Sequence, residues 1–314
     1  MTLVSRHSDK EFVVLDDPIS SFDSIYKNKI AFCIIKFLEN KKQIVLTHNT
    51  DLIRLLDVQQ NGCFNMYLFN NATNGVNGFI PVKDEERKIL INLYELIKLF
   101  HNADLRLSDA ILDERQFLMS MIPFMRGYAH ISKDGNALYE NLSALMHGYE
   151  SVIIDVAEIY DELFGYTFSE QMISVDDILN LDCSLIDILD AERYPLLSET
   201  LKQTLIYYHL RMKVEKELVD IFELEINPMK PPMLNQLIQR TLRANKADSE
   251  IEIEKKRDYR VFFTSRKTLI NEFNHFEGNM NIFQPAIDIE ASALQEEISA
   301  VEEKLASLRA DYAS

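Results

Sequence analysis

The chain has 314 residues, with 33 Lys or Arg against 50 Asp or Glu and a formal net charge of -17. A field of that sign repels phosphate, which excludes sequence-blind adhesion to nucleic acid over the whole surface but leaves room for a local basic patch. Met1–Lys10 is short and polar, unlike a signal peptide, and no apolar run reaches the length of a membrane span; a soluble, cytoplasmic protein with no membrane partner is expected.

The first 83 residues read as alternating strands and helices. Phe12-Val-Val-Leu15 is a continuous apolar run ending in Asp16 and Asp17, as in a strand buried on both faces. Ile25–Leu38 carries apolar residues at helical spacing, Ile44-Val-Leu46 is a second strand ending in Thr47-His48-Asn49, Asp51–Leu56 a second helix and Phe64–Phe69 a third strand. Asn70–Gly78, rich in Asn and Gly, is the loop or hairpin that closes the unit. Such an order predicts right-handed crossovers, a largely parallel sheet and chemistry at the carboxyl ends of the strands. Cys33 and Cys63 lie in apolar runs and are expected to be buried, reduced thiols.

From Asp84 onward the pattern is helical. Glu85–His101, Leu107–Arg126 and Ala137–Phe164 each have apolar residues three and four apart, and Val175–Asp190 is acidic and irregular at its ends. A long helix runs from Pro195 to about Phe222, with Pro at its start; Asn227-Pro228 and Pro231-Pro232 break the chain before a helix over Leu234–Asn245. Asp248–Asp258 is a charge run that reads as a solvated face or a loop, and Val261–Phe276 reads as a helix. Leu294, Ile298, Val301, Leu305 and Leu308 form a short heptad seam, which suits either a coiled coil or docking helix or a helix packed on its own domain. The expected architecture is therefore α-rich with an N-terminal α/β portion, in three segments: 1–83, 84–190 and 191–314.

The motif with the most chemistry is Phe12-Val-Val-Leu-Asp-Asp-Pro-Ile-Ser-Ser-Phe-Asp23. A strand that delivers an acidic pair to a sheet edge can hold Mg²⁺ through one carboxylate and orient the attacking water with the next. His48 ends the second strand 25 residues after Asp23, where it could hydrogen-bond a γ-phosphate or the water. This order resembles the ABC ATPase superfamily: Walker B, D-loop, switch histidine. The spelling is similar to bacterial phage-defence ABC ATPases, including the anticodon-nuclease group, kin to SMC and RecF-like heads. The resemblance implies that Asp16 assists Mg²⁺, Asp17 is the catalytic carboxylate, His48 is the switch residue, and Ser21 and Asp23 belong to the nucleotide-binding turn. The chain spells no Gly-x-x-x-x-Gly-Lys-Ser/Thr loop and no Leu-Ser-Gly-Gly-type signature. ATP and Mg²⁺ are then expected only where another polypeptide, an ABC ATPase chain or a second copy, supplies the missing half; a truncated fragment and a retained scaffold are the alternatives.

Two further clusters lie in the helical part. Arg211 and Glu215 are four apart on the long helix, and Asn271 and His275 share a face before Gly278. This resembles a HEPN-like nuclease arrangement, and in anticodon-nuclease relatives an Arg-x-x-x-Glu pair and a later histidine form the RNA-cleaving triad. The resemblance implies that Arg211 stabilises the pentavalent phosphate while Glu215 and His275 share the acid/base work, with tRNA or another RNA as substrate. Residues 229–280 hold ten Lys or Arg against seven Asp or Glu, which suits a confined phosphate site. The bland reading of the pair is a surface salt bridge. Arg126…His130 and Ser143…His147-Gly148 form a second, weaker set, for which a structural role at helix ends is expected. Three functional readings follow: a nucleotide-gated RNase, a non-catalytic half-head that completes or regulates a full ABC ATPase, and an inactive remnant.

Overall fold

The computed structural model describes residues 11–19, 24–37, 40–60, 62–70, 78–101, 105–132, 137–227, 231–266, 270, 282–283 and 291–312. The chain divides into two compact units: residues up to Phe69 together with Phe79–Leu96, and Ile97 onward with the 70–78 segment. Residues 84–96 thus group with the N-terminal strands, and the residues on either side of position 190 group together.

In the N-terminal unit, β1 (Phe12–Asp16) and β2 (Lys42–Leu46) are parallel and in register from Phe12↔Lys42 to Asp16↔Leu46. Helix α1 (Ser24–Phe37) connects them and α2 (Thr50–Gln59) follows β2. Ile19, Ala31 and Leu52 are fully buried, with Ile30, Val45, Leu55 and Leu56 packed around them. Among the described residues, apolar packing covers one face of the sheet. Phe12 (56% exposed), Val14 (59%), Ile44 (47%) and Leu46 (42%) line the other, which corrects the expectation of strands buried on both faces. The third strand also departs from the single-sheet expectation. β3 (Tyr67–Asn70) pairs with β4 (Gly78–Pro81) in a separate sheet, and Tyr67 and Phe69 pack their rings against Phe79. Helix α3 (Asp84–Ile91) is held to α2 by Arg87, whose Nε lies 3.4 Å from Asp57.

The predicted Glu85–His101 helix is two. The chain is extended at Asn92, whose side chain accepts from the N–H of Tyr94 and opens α4 (Leu93–Phe100). After the short α5 (Leu105–Ser108), α6 (Glu114–Ser132) runs through Pro123 and is buried along most of its length. Its rings Phe117 and Phe124 join Phe100, Tyr160, Phe164 and Phe168 in an aromatic core. The predicted Ala137–Phe164 helix is also interrupted. Helix α7 (Ala137–Leu145) stops before His147-Gly148, β5 (Ile153–Asp155) pairs antiparallel with β6 (Met172–Ser174), and α8 (Val156–Phe164) starts under an Asp155 cap. Ser174 and Asp177 form a capping box on α9 (Val175–Leu179).

Helix α10 (Pro195–Ile221) is the spine of the C-terminal unit. It packs against α6, α9, α11 (Leu234–Thr241) and α13 (Ala291–Tyr312). Of the two readings of the Asp248–Asp258 charge run, the structure has the solvated face: most of these residues are exposed on a helix. Ser249 caps α12 (Glu250–Ser265), which continues through it. Its charges find partners on α13: Lys255–Asp311 at 2.7 Å, Arg266–Glu297 at 2.6 Å, and Lys304–Asp258. The heptad seam is used inside the chain, since Leu294, Ile298, Val301, Leu305 and Leu308 are all buried and α13 is tied to α10 by Lys213–Glu302 at 2.9 Å. A docking role for that seam is therefore withdrawn. Val301→Ala is expected to cost the C-terminal unit about 2 kcal/mol in urea unfolding without changing the oligomeric state measured by light scattering. A change of oligomeric state at unchanged stability would reverse this assignment.

All three cysteines are free, and Cys63 is exposed rather than buried. Among the described residues no helix is long and apolar enough to cross a membrane.

Candidate functional site

Two clusters are built by the fold, one in each unit. In the N-terminal unit the carboxyl ends of β1 and β2 lie side by side, so residues 16–17 and 47–49 meet although 30 positions separate them. The N–H of Asp17 donates to the carbonyl of Leu46 at 2.8 Å and extends the ladder by one rung. Asp17 has φ +39°, a left-handed conformation that a side chain adopts at some cost. The kink turns its carboxylate toward β2: Thr47 Oγ1 donates to Oδ1 at 3.1 Å, and His48 Nδ1 lies 3.6 Å from Oδ2. Asn49 completes the corner, donating its N–H to Thr47 Oγ1 and capping α2 through its side chain. Asp16 ends β1 in register with Leu46 and is exposed, as is the His48 side chain at 59%. The next turn is anchored by the buried Ile19. Ser21 and Asp23 lie outside the described residues. The Asp17 carboxylate and the Thr47 hydroxyl are hard oxygen groups of the kind Mg²⁺ prefers, while among the described residues no group of three or more His, Cys, Asp or Glu is placed to hold a metal ion.

In the C-terminal unit Arg211 and Glu215 are not a surface pair. Glu215 is fully buried and Arg211 is 7% exposed, on the side of α10 that faces the end of α7. Both oxygens of Glu215 are engaged. Arg211 Nε and Nη2 each lie 3.0 Å from Oε1, while the N–H of Gly148 donates to Oε2 at 3.3 Å and His147 Nδ1 lies 3.3 Å from the same oxygen. Burial alone would raise the carboxyl's pKa, but Arg211, and after it His147 and the Gly148 N–H, outweigh this and hold it below its ordinary value. The His147 ring stacks on Tyr149 (centroids 5.1 Å apart, 21° between planes), whose hydroxyl donates to the carbonyl of Pro232. Burial, then the negative Glu215, raise the Tyr149 phenol.

Close approach fixes this corner. A Cβ on Gly148 would sit 2.0 Å from the Met212 carbonyl oxygen, so only glycine lets the α7 end settle on the α10 backbone. Tyr208 secures the same junction by donating to the carbonyl of Leu145. One turn back on α7, Ser143 and Tyr139 hold Arg126 at 2.9 and 2.7 Å, and the Tyr139 ring packs on His130.

The structure thus brings Asp17 to His48 and Arg211 to Glu215. His275, with Asn271, lies outside the described residues. Among the described residues the histidine that touches Glu215 is His147, for which the sequence suggests only a structural role at a helix end. Nothing in its spacing points to position 215; the adjacent Gly148 was the one local sign of a tight junction. No family model, no curated protein and no solved structure matches the chain.

Proposed function

We propose that the chain is a component of an ABC-ATPase phage-defence system, and that its N-terminal unit supplies the Walker B and switch-histidine half of a nucleotide site. The observation that carries this reading is the 3.6 Å approach of His48 to Asp17 at the carboxyl ends of two neighbouring parallel strands. That is where an open α/β sheet binds its ligand. Asp16 would hold Mg²⁺, which supplies charge neutralisation for the phosphates; Asp17 would orient the attacking water, and His48 would reach the γ-phosphate. The phosphate loop and signature come from a full ABC ATPase chain or a second copy. The exposed apolar face of β1–β2 supports this, because a parallel sheet is ordinarily covered on both sides. The phage-defence setting rests on the resemblance of Leu15–Asp23 alone.

The isolated chain is expected to turn over ATP at background rate. Turnover above background that Asp17→Ala abolishes would overturn the half-site. Mn²⁺, a paramagnetic stand-in for Mg²⁺, is expected to broaden the backbone amide signals of Asp16, Asp17 and His48, and Asp16→Asn to relieve the broadening. Signals that stay sharp at millimolar Mn²⁺ would count against Asp16 as the metal residue.

A second reading is favoured by the contact of the Arg211–Glu215 pair with a histidine: a metal-independent ribonuclease centre in the C-terminal unit. Incubation of the chain with total tRNA, with and without ATP, tests it.

A further inference from the structure

We infer that His147 is the proton-transferring residue of that ribonuclease centre, and that Glu215 and Arg211 are its positioning residues. The inference rests on the second reading above and deepens it.

The roles follow from burial and bonding. Glu215 is fully buried and its two oxygens already receive Arg211, His147 and the Gly148 N–H, so it has neither the access nor the spare acceptor positions to take a substrate proton. It can fix a histidine. A carboxylate on Nδ1 selects the tautomer with its proton on that nitrogen and leaves Nε2 as the basic atom. The Tyr149 ring sets the plane of the imidazole, and the His147 side chain keeps 16% of its surface open. Arg211 gives two N–H groups to the same carboxylate and is itself almost buried, so its charge balances Glu215.

A positioned histidine base suits a substrate that carries its own nucleophile. Nε2 of His147 takes the proton of a ribose 2′-hydroxyl. The 2′ oxygen bonds to the adjacent phosphorus and the bond from phosphorus to the 5′ oxygen breaks. The products are a 2′,3′-cyclic phosphate and a 5′-hydroxyl; the departing oxygen is protonated by water, and the imidazolium returns its proton to the hydroxide so formed. Phosphodiesters without the 2′-hydroxyl are not cleaved by this route.

The test uses the full chain, total tRNA and a 2′-O-methyl oligonucleotide of matched length. His147→Asn keeps an amide donor for Glu215 but cannot carry a proton, and is expected to lower tRNA cleavage at least about 100-fold with an unchanged circular dichroism spectrum. His275→Ala is expected to retain cleavage, and the 2′-O-methyl strand to stay intact. For Glu215→Gln, nitrogen NMR is expected to show that His147 has lost its single Nδ1–H tautomer, a signature that mere loosening of the unit would not single out. Cleavage lost in His275→Ala and kept in His147→Asn would overturn the inference and leave the ribonuclease reading standing. Intact tRNA with the wild-type chain would remove that reading and the inference with it.

Discussion

Glu215→Leu is expected to destabilise the C-terminal unit by about 3–5 kcal/mol, and the double variant Arg211→Met/Glu215→Leu to recover the part of that loss that comes from the unpaired charge. The single change leaves the Arg211 guanidinium, 7% exposed, without the carboxylate that its Nε and Nη2 reach. It also orphans the Gly148 N–H, and an unpaired buried donor costs about 1–3 kcal/mol. The double change removes both charges and fills the space with apolar side chains, which buried ion pairs tolerate well. Urea unfolding followed by circular dichroism at neutral pH measures both. A single-variant loss below about 1 kcal/mol would mean that the pair behaves as a surface salt bridge.

The same comparison has a pH signature. The Glu215 carboxyl is held below its ordinary value in the folded protein. Its stabilisation is therefore complete above the ordinary carboxylate range and is lost as pH falls through the folded value. The gap between wild type and Glu215→Leu should be widest near neutrality and narrow on acidification. A gap that widened toward acid pH would put the linkage in the wrong direction.

Local pattern was enough for the parts of the fold that local pattern determines. The apolar run before Asp16, the helical spacing after Ser24 and the short run before Thr47 become β1, α1 and β2, and their parallel register brings Asp17 to His48. Pro195 marks the start of α10 as the spacing indicated. Where local pattern left alternatives open or broke down, distant partners matter. The 248–258 charge run suits a solvated face or a loop; it forms a largely exposed helical face, with Lys255 and Asp258 paired to Asp311 and Lys304 on α13. The break after Leu145 has the same origin. Apolar spacing continues through it, while the packing of Gly148 on Met212 and the pairing of β5 with β6 stop the helix. The His147–Glu215 contact was hidden for that reason: it spans 68 residues and exists only because one glycine admits a helix backbone.

That dependence makes Gly148→Ala the second large effect. The added Cβ would lie 2.0 Å from the carbonyl oxygen and 2.8 Å from the carbonyl carbon of Met212, both backbone atoms in the middle of α10. A flexible side chain could swing away; a helix backbone buried on several sides cannot. The α7 end must retreat instead, and overpacking of this kind costs about 3 kcal/mol. Retreat withdraws two of the donors that Glu215 uses, the Gly148 N–H and His147 Nδ1, so the loss should appear both in urea unfolding and in the nitrogen NMR signals of His147. Gly165→Ala is the control in the same unit. That residue is exposed and ends α8 with φ +70°, so its replacement is expected to add backbone strain of about 1 kcal/mol and to leave His147 untouched. Equal losses in the two variants, with His147 unmoved in both, would show that the close approach relaxes cheaply. The alignment of His147 on Glu215 would then not be built into the packing, and a proton-transfer role that needs a fixed imidazole would lose its structural basis.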